Sequence, residues 1–174
     1  MIRLIVLAVA IAAAIPSFAQ TSTTPGYVVD ANTGCKLYHW DPRPGVTMTW
    51  TGPCVQGVAQ GSGTMRYFWQ GEPSNGTYTG EVRNGQRSGR GTMVFLNGNR
   101  YDGEWADDKL NGHGTFVFAN GNRYEGQFRD ARPNGYGTAV VDGTTHTGSW
   151  SNGCFRQGER WAVIGTTAKA CGFE

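Results

Sequence analysis

One glycine-and-aromatic phrase recurs about every 23 residues, and that period constrains the fold of this chain more than any other feature. The clearest copies are Tyr78-Thr79-Gly80-Glu81-Val82, Tyr101-Asp102-Gly103-Glu104-Trp105 and Tyr124-Glu125-Gly126-Gln127-Phe128. Each is followed at a fixed distance by Gly-x-Gly-Thr, at Gly89–Thr92, Gly112–Thr115 and Gly135–Thr138. A fixed period of this size marks a stack of supersecondary units, each too small to bury a core alone. Weaker copies flank the three. Upstream, Trp50-Thr51-Gly52-Pro53-Cys54 leads to Gly61-Ser62-Gly63-Thr64; downstream, His146-Thr147-Gly148-Ser149-Trp150 leads to Gly153 and then loses the pattern. The first interval is longer than the others, and the stretch Gly71–Gly76 accounts for the excess. Degenerate outer copies are what terminal capping repeats look like.

Each copy reads as a β-hairpin. In Tyr101-Asp102-Gly103-Glu104-Trp105 the rings and the glycine share one face of a period-two strand, and the two acids share the other. The Gly-x-Gly-Thr segment opens a return strand such as Thr115-Phe116-Val117-Phe118, whose residues suit pleated sheet. Asn97-Gly98, Asn120-Gly121 and Asp142-Gly143 then predict two-residue turns with both central residues at positive φ. The expectation is an all-β, elongated single antiparallel meander of stacked hairpins. Glycine weakens a strand unless a ring covers it. Tyr78, Tyr101 and Tyr124 are therefore expected to form one row along the sheet and Val82, Trp105 and Phe128 a second, continued by His146 and Trp150. These rings are read first as core.

Residues 1–19 stand outside this pattern. Arg3, an apolar run from Leu4 to Ile15 and the small residues of Ser17-Phe18-Ala19 read as a signal peptide. Its removal takes away one base and leaves the chain nearly neutral, so nucleic acid loses its electrostatic motive as a partner. The expected location is exported, periplasmic or secreted. Four cysteines in a small exported chain argue for disulfides. Sequence alone permits three pairings. An elongated stack holds its ends too far apart for a bridge, which favours Cys35–Cys54 and Cys154–Cys171, one cap at each end. Nothing resembles a zinc knuckle, and no metal or other cofactor is expected.

The unit Tyr-x-Gly-x-aromatic, then Gly-x-Gly-Thr, then Asn-Gly-Asn-Arg resembles the MORN repeat (membrane occupation and recognition nexus). The likeness spans residues 50–158 as five MORN-like repeats, between an N-terminal extension and cap over 20–49 and a C-terminal cap strand and tail over 159–174. It departs from the family at Val82, where Trp is preferred, and at Asp108 and Ala131, where glycine is favoured. The segment from Gly34-Cys35 to Cys54 is similar to exported bacterial members that open with a cysteine-bearing cap. The resemblance implies a scaffold or docking surface, with links to acidic lipids, dimer formation and protein partners.

No catalytic set emerges. His39, His113 and His146 lie in separate segments without metal-ligand spacing, and His146 stands where a ladder tyrosine should. Glu81, Glu104 and Glu125 occupy equivalent positions, so a glycan hydrolase built on facing carboxylates ranks below binding. Asp107-Asp108 reads as a solvated hairpin loop. Two binding surfaces remain open. Trp50, Tyr67, Trp69, Trp105 and Trp150 would line an aromatic groove for a protein, a second copy of the chain or a glycan. Arg87, Arg90, Lys109, His113 and Arg132 would line a basic hairpin edge for anionic lipid or envelope polysaccharide, unless they only keep that edge solvated. The reading is a non-enzymatic exported binding scaffold.

Overall fold

The computed structural model describes residues 26–173, so the expected leader over residues 1–19 lies outside the described residues. A small sheet is formed by β1 (Gly26–Val29), β2 (Lys36–His39), β4 (Cys54–Val55) and β5 (Val58–Ala59). The main sheet holds β3 (Val46–Trp50), β6 (Gly61–Trp69), β7 (Glu72–Arg83), β8 (Gln86–Val94), β9 (Arg100–Ala106) and β10 (Lys109–Val117). It continues through β11 (Arg123–Arg129), β12 (Arg132–Val141), β13 (Thr144–Ser151), β14 (Cys154–Gln157) and β15 (Arg160–Val163). From β6 to β15 every strand pairs antiparallel with its sequence neighbours, and β3 adds to β6, giving an 11-stranded meander. The small sheet breaks the meander rule, because β2 runs parallel to β5 through Lys36 and Val58. Disulfides join Cys35 to Cys54 and Cys154 to Cys171, at the two ends of the stack.

The repeating glycines build one continuous belt. Gly63, Gly80, Gly91, Gly103, Gly114, Gly126, Gly137 and Gly148 face one another strand by strand. Across the belt lie the tyrosine rings, where any Cβ would collide: one on Gly103 would come within 2.5 Å of the Tyr101 hydroxyl. Each phenol donates to the carbonyl three residues on, Tyr78 to Glu81 at 2.7 Å, Tyr101 to Glu104 at 2.9 Å and Tyr124 to Gln127 at 3.0 Å. Trp50 repeats the device with an indole, covering Gly52 and Gly63 and donating from Nε1 to Pro53 O at 2.9 Å.

The two expected rows merge into a single column. Tyr78 meets Trp105 edge-to-face at 5.3 Å, Tyr101 meets Trp105 and Phe128, and Tyr124 meets Phe128 and Trp150. Such contacts add about 0.5–1.5 kcal/mol each beyond area burial, and they join the repeats from Tyr78 to Trp150 to one another. The expected continuation through His146 is corrected: Phe155, not residue 146, covers Gly148, and His146 packs at 5.5 Å against that ring.

Turn geometry also differs from expectation in part. Asp142-Gly143 is a two-residue turn with φ of 49° and 78°. At Asn97-Gly98 and Asn120-Gly121 only the glycines have positive φ, and Phe95 N–H reaches Asn99 O while Phe118 N–H reaches Asn122 O. These are longer turns in which the glycine supplies a left-handed bulge position. The tight turns fall at the other hairpin ends: Asn84-Gly85, Asp107-Asp108, Asp130-Ala131 and Asn152-Gly153. There the second residue donates its N–H to the preceding repeat, Gly85 to Ala59 O, Asp108 to Arg87 O, Ala131 to Leu110 O and Gly153 to Pro133 O, at 2.8–3.1 Å. The tips are thus stitched to one another by backbone bonds outside the ladder.

Candidate functional site

Past β2 the chain leaves the small sheet as Trp40-Asp41-Pro42-Arg43-Pro44-Gly45. Two prolines deny this segment ladder donors, so it crosses the molecule as a loop. It is pinned by its own side chains. Asp41 N–H donates to His39 Nδ1 at 3.0 Å, Arg43 Nε meets Asp41 Oδ2 at 3.2 Å, and the Arg43 guanidinium lies 4.3 Å over the Trp69 ring. Trp40 is left 68 % exposed, stacked on His39 with ring centres 6.0 Å apart and planes within 20°.

Opposite the loop, the longer β6–β7 hairpin supplies one wall, and the start of β8 with the Asp107–Lys109 tip supplies the other. Its pairing shifts between Arg66 and Tyr67, leaving Asn75 and Gly76 as a bulge with Asn75 at φ 58°. Part of the extra length at Gly71–Gly76 is therefore spent on this bulge. Tyr67 is buried, which pushes its phenol up to about 12, and its hydroxyl donates to Met65 Sδ at 2.9 Å. Together these elements enclose a cleft of about 320 Å³ lined by Tyr38, Trp40, Tyr67, Asn75, Gln86 and Asp107 among others. A second hollow of about 330 Å³ shares His39, Trp40, Tyr67 and Asn75 with it and runs on to Asp41 and Trp69.

The charges around the cleft are mostly spoken for. Arg87 lies 4.4 Å over the Trp105 ring, its Nε donates to Asp108 Oδ1 at 2.8 Å and its side chain is only 15 % exposed. Burial opposes its charge, but Tyr67 and Asp108 more than offset that and hold its proton more firmly than usual. Burial pulls His39 below the ordinary imidazole range, against the nearby Asp41 charge. His39 is therefore neutral at pH 7, and the bond into Nδ1 places its proton on Nε2.

This corrects the expected basic edge. Arg87 bridges to the next tip at Asp108, and Lys109 repeats the step to Asp130 at 2.8 Å. These bases join successive hairpin tips instead of forming a free ridge. Arg90 and His113 are exposed mid-strand, opposite Glu104 and Gln127, and Arg132 follows the third tip, beside Arg129. The structure does not gather the five. The aromatic groove is not formed as a unit: Trp50, Trp105 and Trp150 are 3 %, 5 % and 2 % exposed, because Trp50 covers Gly52 and Gly63, Trp105 packs on Tyr78 and Tyr101, and Trp150 packs on Tyr124 and Phe155. Tyr67 and Trp69 do line the hollows. Asp108, expected in solvent, is the buried-side partner of Arg87. Glu81 and Glu104 are explained locally, accepting from Arg90 N–H and His113 N–H beside the bulged glycines.

Trp40, Asp41 and Asn75 were not singled out from sequence. The only signal was negative: an aromatic flanked by Asp and two prolines, outside the repeat period. Among the described residues no three His, Cys, Asp or Glu side chains gather as a metal site, and no helix is long and apolar enough to cross a membrane.

The MORN repeat model matches residues 78–100, 101–123 and 124–145. These three units are MORN repeats. The boundaries fall at the ladder residues Tyr78, Tyr101 and Tyr124, so each unit is one turn of the ring-over-glycine device. MORN repeats are binding and scaffolding units with no catalytic machinery of their own. The copies led by Trp50 and His146 lie outside the match, as does the cleft-forming loop. No curated protein matches the chain.

Proposed function

We propose that this protein is a non-enzymatic, exported binding module in which the MORN stack is a rigid support and recognition takes place in the cleft beside Trp40. The observation that carries this is a contrast in exposure. The ladder tryptophans are spent on the core, whereas Trp40 is 68 % exposed at the mouth of a formed cleft. Aromatic side chains with a few convergent polar groups in a concavity are the usual make-up of a binding site. Two disulfides fit an oxidising compartment, and the signal-like segment fits export. Docking of a partner therefore moves from the sheet face to its N-terminal end. The test is retention on an isolated envelope fraction. Trp40→Ala is expected to abolish retention with an unchanged melting temperature, and undiminished retention would overturn the proposal.

A second reading keeps an anionic surface as partner but changes its location. On the solvent face Val94, Arg100, Val117, Arg123 and Val140 are successive cross-strand partners, an alternating cationic and apolar row. Salt-sensitive pelleting with anionic vesicles that is lost in Arg100→Ser/Arg123→Ser, and not in Trp40→Ala, would favour it.

A further inference from the structure

The chemistry of the cleft is specific enough to name its ligand class, an assignment that rests on the cleft being the recognition site. Its charges come first. Arg87 is engaged by Asp108, Lys109 by Asp130 and Arg43 by Asp41, while Asp107 stands at the rim. A phosphate or carboxylate ligand finds no unpaired cation there and meets carboxylates instead. The ligand that fits is neutral.

The hydrogen-bonding groups narrow the class. Among the described residues the side chains of Asn75, Gln86 and Asp107 make no hydrogen bond to the rest of the chain, and all three line the cleft. Asp41 is 8 % exposed at the wall of the second hollow, and no donor of the described residues reaches its Oδ1. His39 presents Nε2–H as a donor. The wall thus holds acceptors, two amides able to act both ways, and one neutral donor. That set suits a ligand dense in hydroxyls.

Shape narrows it again. The indole of Trp40 is an open plate braced from behind by His39. The partly positive C–H face of a pyranose ring meets the negative face of such a plate. The two hollows join at His39, Trp40, Tyr67 and Asn75, so a chain can run past Trp40 on both sides. An extended peptide would instead need an open strand edge for main-chain pairing. Here β7 is paired on both sides by β6 and β8, and β2 by β1 along its length, by β5 at Lys36 and by Gly85 O at the Tyr38 N–H. The edge strand β3 reaches the second hollow only with Val46, too short a ladder for an extended peptide.

We propose that the Trp40 cleft binds a neutral saccharide chain, one sugar ring stacking on Trp40 and its hydroxyls bonding Asn75, Gln86, Asp41 and Asp107.

The test uses the exported chain with both disulfides intact, labelled with 5-fluorotryptophan, the Trp40 resonance being assigned by loss in Trp40→Phe. Neutral cello-, chito- and manno-oligosaccharides and anionic sulfated and uronic ones are titrated in turn. At least one neutral series should shift the Trp40 resonance, with affinity rising with chain length. Read by titration calorimetry, which does not need the Trp40 signal, Trp40→Ala should weaken that binding by about tenfold or more, and Asn75→Ala severalfold, with unchanged circular dichroism. Binding confined to anionic members, binding indifferent to Trp40→Ala, or binding by no member overturns the proposal. An envelope extract separates this from failure of the cleft itself. A Trp40 shift that survives protease but not periodate supports the saccharide. A shift lost to protease and kept after periodate overturns the saccharide and leaves the cleft standing as a protein site. No shift with untreated extract overturns both.

Discussion

At the scale of single residues, the fold depends on what is missing. A Cβ on Gly114 would fall onto the Tyr101 ring and hydroxyl, so the glycine is required by close approach. Gly121, at φ 88°, has nothing within 4 Å of such an atom, so there only backbone conformation is at stake. Gly114→Ala is expected to lose about 2–3 kcal/mol through overpacking, and Gly121→Ala about 1 kcal/mol through backbone strain. Equal losses in urea unfolding would show that the ring-over-glycine contact does not set stability. His146 gives a second prediction at this scale. Burial holds its imidazole below the ordinary range, Arg160 adds to the effect, and its Nδ1 has no partner among the described residues. The unfolded chain therefore takes up the proton first as pH falls. Stability from this group is present above about pH 6.5 and lost below it. His39 is shifted the same way and acts in the same window. His146→Phe should flatten part of the fall in melting temperature between neutral pH and about pH 5; an unchanged slope would show that His146 does not titrate with folding.

At the scale of elements, the hairpin tips carry both the strain and the cement. Ala131 sits at φ 62°, a conformation that costs a residue with a Cβ, while its N–H is needed by Leu110 O. Ala131→Gly keeps that bond and removes the strain, for an expected gain of about 0.5–1 kcal/mol. Asp108 has a similar φ of 64° but accepts from Arg87 backbone and side chain. Asp108→Ala should therefore cost about 2 kcal/mol by leaving a largely buried guanidinium without its partner. Opposite signs at two equivalent turn positions, read by denaturant midpoints, would separate strain from pairing; a loss at Ala131→Gly would contradict the strain argument. The same tips show where sequence stops being legible. The period, the strand faces and the glycine gaps follow from local chemistry repeated in register, and the cysteine pairs from the elongation that the repeat implies. The resemblance to the MORN repeat marks Asp108 and Ala131 as departures from glycine, yet the pairing of Arg87 with Asp108 lies 21 residues away and depends on how one tip stacks on another. Exposed bases and buried ones look alike in a one-dimensional pattern. The cleft was harder still, because Trp40 belongs to no repeat and its neighbours Tyr67, Asn75 and Asp107 come from separate stretches of the chain. Loop 40–45 acquires its meaning only from what it crosses.

At the scale of the whole molecule, each hairpin touches only its neighbours, so the terminal units hold one interface where the central ones hold two. The disulfides close loops over separations of 19 and 17 residues, where the chain-entropy account gives about 3 kcal/mol each. Loss of either bridge should lower the melting temperature by roughly 6–12 °C in a domain of this size. Functional consequences should nevertheless be unequal. Cys35 is fully buried one residue before β2, the strand that carries Tyr38 and His39 to the cleft. Tyr38 N–H is in turn bonded to Gly85 O at a hairpin tip, so freeing β2 releases one wall of the cleft from the stack. Cys154–Cys171 ties the tail to β14, at the opposite end of the strand order. Cys35→Ala/Cys54→Ala is thus expected to expose the β1–β5 amides to hydrogen exchange and to remove the Trp40 cleft response well below the melting point. Cys154→Ala/Cys171→Ala should fray β14 and β15 and leave that response intact. If both double variants weaken cleft binding equally while still folded, the stack is one cooperative unit in which cap and cleft are not locally coupled, and the assignment of the N-terminal bridge as the cleft's own brace is wrong.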